Sequence, residues 1–282
     1  MNRKIDAYNS TWLQRAAMRT AEFRNAGSYS ERSSIWSEIK PVYMDIQNYK
    51  CAFCEKRLSG EEIGTIEHDI EHFRPKKKIT NWKIPKSLNG VPITKAIRNQ
   101  PGHHLLAYNP FNYTTSCKPC NSILKKNNFP IEGQYDVTQA SVISLIRYEL
   151  PYLLYPLGNF DKNPEDLFFF VGIHPVSKGN SLREENRARV TIEFFKLNDH
   201  VQRKHLFIQR AETILALYRI METIVVNGIV DEEDAKEFAN RTSLHAPHAN
   251  CARSFMILYK NDRDEAYRVF KDAQKYYNSV SK

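Results

Sequence analysis

Five cysteines are the residues of this 282-residue chain whose spacing most directly suggests chemistry. Four form two Cys-x-x-Cys pairs, Cys51-Ala52-Phe53-Cys54 and Cys117-Lys118-Pro119-Cys120, and Cys251 stands alone. Two residues between thiols let both sulfurs of a turn reach one ion. Two such turns close a tetrahedral site with no open position, which is structural rather than catalytic. A structural Zn²⁺ on Cys51, Cys54, Cys117 and Cys120 is therefore expected. The competing readings are buried free thiols and a redox motif, which needs one pair rather than two and has only Pro119 in its favour. The stretch between the pairs is longer than in a usual zinc ribbon, so a functional insert lies between them.

That insert contains Glu67-His68-Asp69-Ile70-Glu71-His72-Phe73-Arg74-Pro75. Asn109-Pro110-Phe111-Asn112 then leads to the second knuckle, and Cys120-Asn121-Ser122-Ile123-Leu124-Lys125 follows it. This order resembles the zinc-stapled HNH (ββα-metal) nucleases. Their pattern is a Cys-x-x-Cys, an acidic residue then His with Pro three residues on, an Asn before the second knuckle, and Cys-Asn or Cys-His entering a helix that contains Lys. Asn112 and Asn121 lie nine positions apart, a spacing that recurs in that family. Any one of these pieces is weak; their conjunction is specific.

The resemblance implies phosphodiester hydrolysis. His72 is the expected general base, because imidazole titrates near the working pH. Glu71 and Asn121 are the expected oxygen ligands of one Mg²⁺ or Mn²⁺, which would polarise the phosphate and stabilise the departing oxygen. Asn112 is expected to orient the His72 ring. Lys125 and Lys76-Lys77-Lys78 are candidate phosphate contacts, the alternative for the triplet being a solvated loop. Two positions depart from the family name: Asn121 replaces the final His, and the first ligand is Glu. Both make Zn²⁺ or Ni²⁺ at the catalytic position less fitting. Glu67-His68 offers a competing register. Glu71-His72 is preferred because Phe73-x-Pro75 follows it directly and Pro should end the strand. His103-His104 reads as an exposed loop pair outside the site.

A narrower likeness covers roughly residues 36 to 255. Glu71-His72-Phe73-Arg74-Pro75-Lys76, Cys120-Asn121-Ser122, Asn128-Phe129-Pro130, Leu153-Leu154-Tyr155-Pro156, Asn163-Pro164-Glu165-Asp166-Leu167 and Arg189-Val190-Thr191-Ile192 resemble the HNH subunits of Septu anti-phage systems and related retron defence systems. This likeness implies an ABC/SMC-like ATPase partner. DNA stands ahead of RNA as the substrate. An HNH nuclease cleaving RNA such as tRNA, and a non-enzymatic zinc module that binds nucleic acid, are the alternatives.

The fold expected around these residues is α+β, mainly α, in three regions. Residues 1–50 read as helical, broken near Gly27-Ser28-Tyr29-Ser30, and the stripe Trp36, Ile39, Val42, Tyr43, Ile46 delivers the chain to Cys51. Residues 51–130 are short elements punctuated by Gly and Pro, the composition of a small HNH core needing a metal staple. Residues 131–282 turn helical. Asn198-Asp199 is read as the N-cap of a helix with the stripe Phe207, Ala211, Ile214, Tyr218, Met221, Val225, stopped by Asn227-Gly228. A final helix carries Ala266, Phe270, Ala273 and Tyr277. These helices either buttress the small core or dock the partner. For docking, Phe168-Phe169-Phe170 and Tyr276-Tyr277 are the candidate apolar patches.

Bulk composition is that of a globular protein, with 41% hydrophobic and 26% charged residues. The net charge of +9 favours an anionic partner, of which nucleic acid is the commonest. Leu167-Phe168-Phe169-Phe170-Val171, the strongest apolar run, is too short to span a bilayer. The first residues lack the apolar stretch of a signal peptide, so a cytoplasmic location without structural disulfides is expected.

Overall fold

The computed structural model describes residues 1–59, 68–94, 99–228 and 231–280. The chain divides into two compact units, Met1–Phe53 with Arg57–Lys162, and Cys54–Lys56 with Asn163–Lys282.

In the first unit the N-terminal segment forms α1 (Asn2–Tyr8), α2 (Trp12–Ala26), a 3₁₀ turn (Trp36–Ile39) and α3 (Lys40–Ile46). Gly27 ends α2 in the left-handed region at φ 64°, a conformation that favours glycine. The stripe from Trp36 to Ile46 is not one continuous helix. Pro41 has no N–H to donate and sits in the first turn of α3, so a 3₁₀ turn precedes it. Trp12 is fully buried and donates its indole N–H to the Ile35 carbonyl at 2.8 Å, closing α2 onto that turn.

Strand β1 (His68–His72) pairs antiparallel with β2 (Tyr113–Cys117). His68 stands opposite Cys117, and His72 opposite Tyr113. Every residue of β2 is buried, and a π-helix over Pro119–Lys125 follows it. Among the described residues three 3₁₀ turns separate β1 from β2, and the helix follows β2 directly. Gln47 clamps β2 from α3, its amide accepting from the Thr115 N–H at 2.7 Å and donating to the Thr115 carbonyl at 2.9 Å.

The first unit extends beyond residue 130, where the sequence reading placed a boundary. Ile131 bridges Pro151, and Tyr152 N–H donates to the Pro130 carbonyl at 3.0 Å. Helix α4 (Val142–Glu149), capped by Ser141, packs Val142 and Leu145 against Leu106. These ties are backbone pairings and long-range side-chain contacts, which leave no periodic trace in the sequence.

The second unit contains α5 (Pro164–Leu167), a hairpin of β3 (Phe168–Val171) and β4 (His174–Ser177), then α6 (Leu182–Phe194), α7 (Lys204–Asn227), α8 (Glu232–Thr242), α9 (Ala249–Asn261) and α10 (Arg263–Val280). Gly172 turns the hairpin at φ 58°. The region expected to be helical therefore contains two strands, because the aromatic run Phe168–Phe170 favours a pleated surface. Helix α7 begins later than Asn198-Asp199 predicts. The Asp199 carboxylate instead accepts from Val201 and Gln202 N–H in the preceding turn. Its end at Gly228, left-handed at φ 66°, is as expected. Phe207, Ala211, Ile214 and Met221 of α7 pack with Phe255 of α9 and Ala266, Phe270 and Ala273 of α10 in one core. Tyr276 and Tyr277 pack against that core rather than forming an open patch, and of the three phenylalanines only Phe169 is exposed.

Truncating Phe207, fully buried in this core, should destabilise the second unit by about 3–5 kcal/mol. Urea unfolding of Phe207→Ala followed by circular dichroism checks this; an unchanged midpoint would contradict the packing described.

Candidate functional site

The four knuckle cysteines converge because β2 ends at Cys117 and the π-helix starts two residues later, while the turn after α3 brings Cys51 and Cys54 beside them. Their sulfurs all lie within 4.8 Å of one another and all four residues are buried. None is disulfide-bonded. Zn–S bonds of about 2.3 Å in a tetrahedron separate sulfurs by about 3.8 Å, so the cluster fits a metal ion such as zinc. The Cys117 N–H points at Cys51 Sγ from 3.4 Å, a donor that favours a thiolate. Cys251 lies elsewhere, in the core of the second unit, where burial pushes its thiol up to about 12.

Glu71 and His72 stand at the other end of β1. Both are buried. The Glu71 carboxylate accepts from the Lys125 ammonium at 2.5 Å, and the same ammonium donates to the His72 carbonyl at 2.9 Å. Burial raises the Glu71 pKa, and the Lys125 charge opposes that rise. The carboxylate is thus already arranged around a cation.

The His72 ring is held on both nitrogens. Nε2 donates to the Ala107 carbonyl at 3.0 Å, which fixes the proton there and leaves the lone pair on Nδ1. Nδ1 faces the Lys76 ammonium at 3.2 Å. Burial holds the imidazole well below the ordinary histidine range, and the Lys76 charge pushes the same way. Trp36 and Tyr113 meet the ring edge-on at 4.9 and 5.0 Å between centroids. Lys76 itself lies over the Trp36 face at 4.2 Å, and burial lowers its pKa to about 8.

Asn112 does not touch the His72 ring. Fully buried, it accepts from the Arg74 N–H at 2.8 Å and donates to the Arg74 and Leu106 carbonyls at 3.0 and 3.1 Å. It therefore braces the backbone on either side of the ring, at Arg74 and beside Ala107. Asn121 is half-buried on the π-helix, four residues before Lys125 and on a shared side of it. Lys77 and Lys78 are exposed, whereas Lys76 is half-buried and Lys125 fully buried.

His68 is buried near the knuckle end of β1, its Nε2 donating to the Ser59 carbonyl at 2.6 Å. Glu67 falls outside the described residues. The expectation that His103 and His104 form an exposed pair is overturned, since both are buried. Gly102 explains why: a Cβ there would come within 2.3 Å of the Lys76 carbonyl carbon, so the segment lies flat against that backbone. His103 N–H then bonds the Pro75 carbonyl at 2.8 Å. Sequence reasoning missed Ala107, Trp36 and Tyr113. Ala107 acts through its carbonyl, which no side-chain type can signal. Trp36 was visible only as one member of a helical stripe.

Two curated proteins are similar to this chain. Septu protein PtuB of Bacillus mycoides (strain KBAB4) is 26% identical over 239 residues, which cover 82% of this chain and 71% of that protein. Septu protein PtuB of Bacillus thuringiensis is 30% identical over 153 residues, covering 52% of this chain and 54% of that protein. No protein-family profile matches the chain. No solved structure matches it either. Among the described residues no helix is long and apolar enough to cross a membrane.

Protein purified without added metal should contain about one zinc per chain. Cys120→Ser should lose it and Cys251→Ser should keep it, as read by elemental analysis. A metal-free wild-type chain with the knuckle pairs oxidised would overturn the assignment.

Proposed function

We propose that this chain is a metal-dependent HNH-type endonuclease, the nuclease component of an anti-phage defence system that acts with an ATPase partner. The observation that carries the chemistry is the His72 ring, whose proton sits on Nε2 and is donated to the Ala107 carbonyl, leaving the Nδ1 lone pair facing the Lys76 ammonium. The strand–strand–helix order around it, the adjacent buried carboxylate and the cysteine cluster support the HNH reading. The similarity to two proteins named Septu protein PtuB supports the defence role.

In this mechanism His72 Nδ1 accepts a proton from the attacking water, and the Ala107 carbonyl stabilises the imidazolium that forms. Tyr113 and Trp36 exclude bulk water from the ring edges, which strengthens these interactions. Glu71 and Asn121 would hold Mg²⁺ or Mn²⁺, whose contribution is charge neutralisation at the phosphate and the leaving oxygen. Lys125, paired with Glu71, orients the carboxylate and opposes the pKa rise that burial causes. Lys77 and Lys78 are exposed, as phosphate contacts must be, and Lys76 lies where it can follow a phosphate towards His72. DNA is proposed as the substrate ahead of RNA; both present phosphates, so the charge of +9 suits either.

Purified with its native partner, the protein should cleave plasmid DNA in the presence of Mg²⁺. His72→Ala should lower the rate by about 10²–10⁴-fold while zinc content survives. His68→Ala should retain cleavage; the reverse pattern would transfer the role of base to His68. Glu71→Gln should cleave poorly at limiting Mg²⁺ and partly recover at high Mg²⁺, and an unchanged rate at limiting metal would remove Glu71 from the ligand set. Cleavage of tRNA with DNA left intact would select the RNA reading. Binding without cleavage of either polymer would leave a zinc-containing nucleic-acid-binding module.

A further inference from the structure

His72 depends on two separate pieces of backbone. One is the end of β1, which carries the ring. The other is the segment 102–107, which supplies the Ala107 carbonyl that accepts the hydrogen bond from Nε2. These pieces are joined by side chains that the proposed chemistry does not use. Glu149, at the end of α4, is fully buried. One of its carboxylate oxygens accepts from Arg74 Nε at 2.6 Å, two residues beyond His72. The other accepts from His103 Nε2 at 2.5 Å, four residues before Ala107. Arg74 and His103 are also fully buried, so the cross-link is dry. Among the described residues the remaining Arg74 nitrogens, Nη1 and Nη2, have no hydrogen-bond partner. The guanidinium lies against Phe129 and Phe73 at 5.3 and 5.6 Å from the ring centres. Glu149 is thus, among the described residues, the hydrogen-bond acceptor that orients this cation. A buried carboxylate bridging two cationic-capable groups is an expensive way to gain stability alone, since apolar residues of similar volume commonly do as well or better. Its placement across the two supports of one imidazole gives it a different use.

We propose that Glu149 is a positioning residue for His72, acting through Arg74 and His103 to keep the Ala107 carbonyl aligned with His72 Nε2. The proposal rests on the reading of His72 as the general base, and its test separates the two. The full-length protein, labelled with ¹⁵N-histidine, is compared with Glu149→Gln, which keeps the size and one acceptor but drops the charge. His72 of the wild type should give the spectrum of a single neutral tautomer, protonated at Nε2. In Glu149→Gln its two nitrogen signals should move towards each other as the tautomers mix, while zinc content stays at the wild-type value. Cleavage by the variant should fall in kcat by about ten- to a hundred-fold, with KM little changed, the range seen for partners that orient a functional histidine. If Glu149→Gln does not fold, His103→Leu carries the same readout, because it leaves no donor for Glu149 on the 102–107 segment, at the cost of the Tyr135 contact to His103 Nδ1. A folded variant whose His72 signals match the wild type overturns the proposal, whatever its rate. A wild-type protein that cleaves nothing would remove the nuclease reading, and the His72 spectrum would still decide whether Glu149 positions the ring.

Discussion

The five-residue pairing of β1 with β2 is the interaction on which the first unit depends. It places the cysteine cluster at one end of the ladder, with Cys117 opposite His68, and the Glu71–His72 pair at the other, with Tyr113 opposite His72. A two-stranded ribbon of this length is marginal by itself in water. A shift of one residue would send every side chain to the opposite face. Register is therefore pinned from outside at both ends. Gln47 and the cysteines hold the knuckle end. At the other end, the Asn112 amide binds the backbone just past β1 and the Leu106 carbonyl. The Tyr113 hydroxyl donates to the same Ala107 carbonyl that accepts from His72 Nε2.

The chemistry end of the ladder is also where the unit gathers buried charge. Lys76, Lys125, Glu71, Arg74 and Glu149 lie within a few residues of His72 in sequence or are bonded to something that does. Removing one partner of a buried pair typically destabilises by about 3–5 kcal/mol, because the other charge is left unpaired. A fold selected for stability alone would fill this space with apolar side chains. Charged groups gathered around one imidazole are a pattern common to functional sites. The N-terminal helices belong to it as well. Arg19 and the Tyr29 and Tyr108 hydroxyls converge on Glu31, and this polar knot holds the aromatic wall in which Trp36 meets both His72 and Lys76. The segment 1–50 is therefore part of the same unit as the site rather than a leader to it.

The second unit has a different character. Its core is built from the facing stripes of α7, α9 and α10, with Cys251 buried among them as a small apolar residue. Two of its buried arginines bond backbone: Arg210 donates to the Ile173 and Leu197 carbonyls and Arg203 to Phe195, locking the hairpin and the end of α6 to α7. These are architectural bonds. They explain how a largely helical unit accommodates the β3–β4 hairpin.

Some of this was legible from the sequence because it is written in local spacing. The paired Cys-x-x-Cys motifs brought four sulfurs together, since two residues between thiols is a property of one turn. The stripe of α10 and that of α7 as far as Met221 faced their core, Val225 being exposed, and Gly228 stopped α7, since helical periodicity and a left-handed glycine are local rules. Other features were decided only in three dimensions. The first unit runs on past 130 to 162 because Ile131 bridges Pro151 and Arg74 reaches Glu149, contacts between residues far apart in the chain. His103 looked like a loop histidine because nothing near it in sequence shows that Gly102 lets the segment lie on the Lys76 backbone. Lys125 looked like a phosphate contact because its residue type is cationic, yet its neighbour across the fold is Glu71. The orientation of His72 was beyond any reading of residue types, because the group that sets it is the carbonyl of an alanine. Sequence names which residues are able to do chemistry; the tertiary fold decides which proton, lone pair or charge each one presents, since those depend on neighbours that spacing alone does not specify.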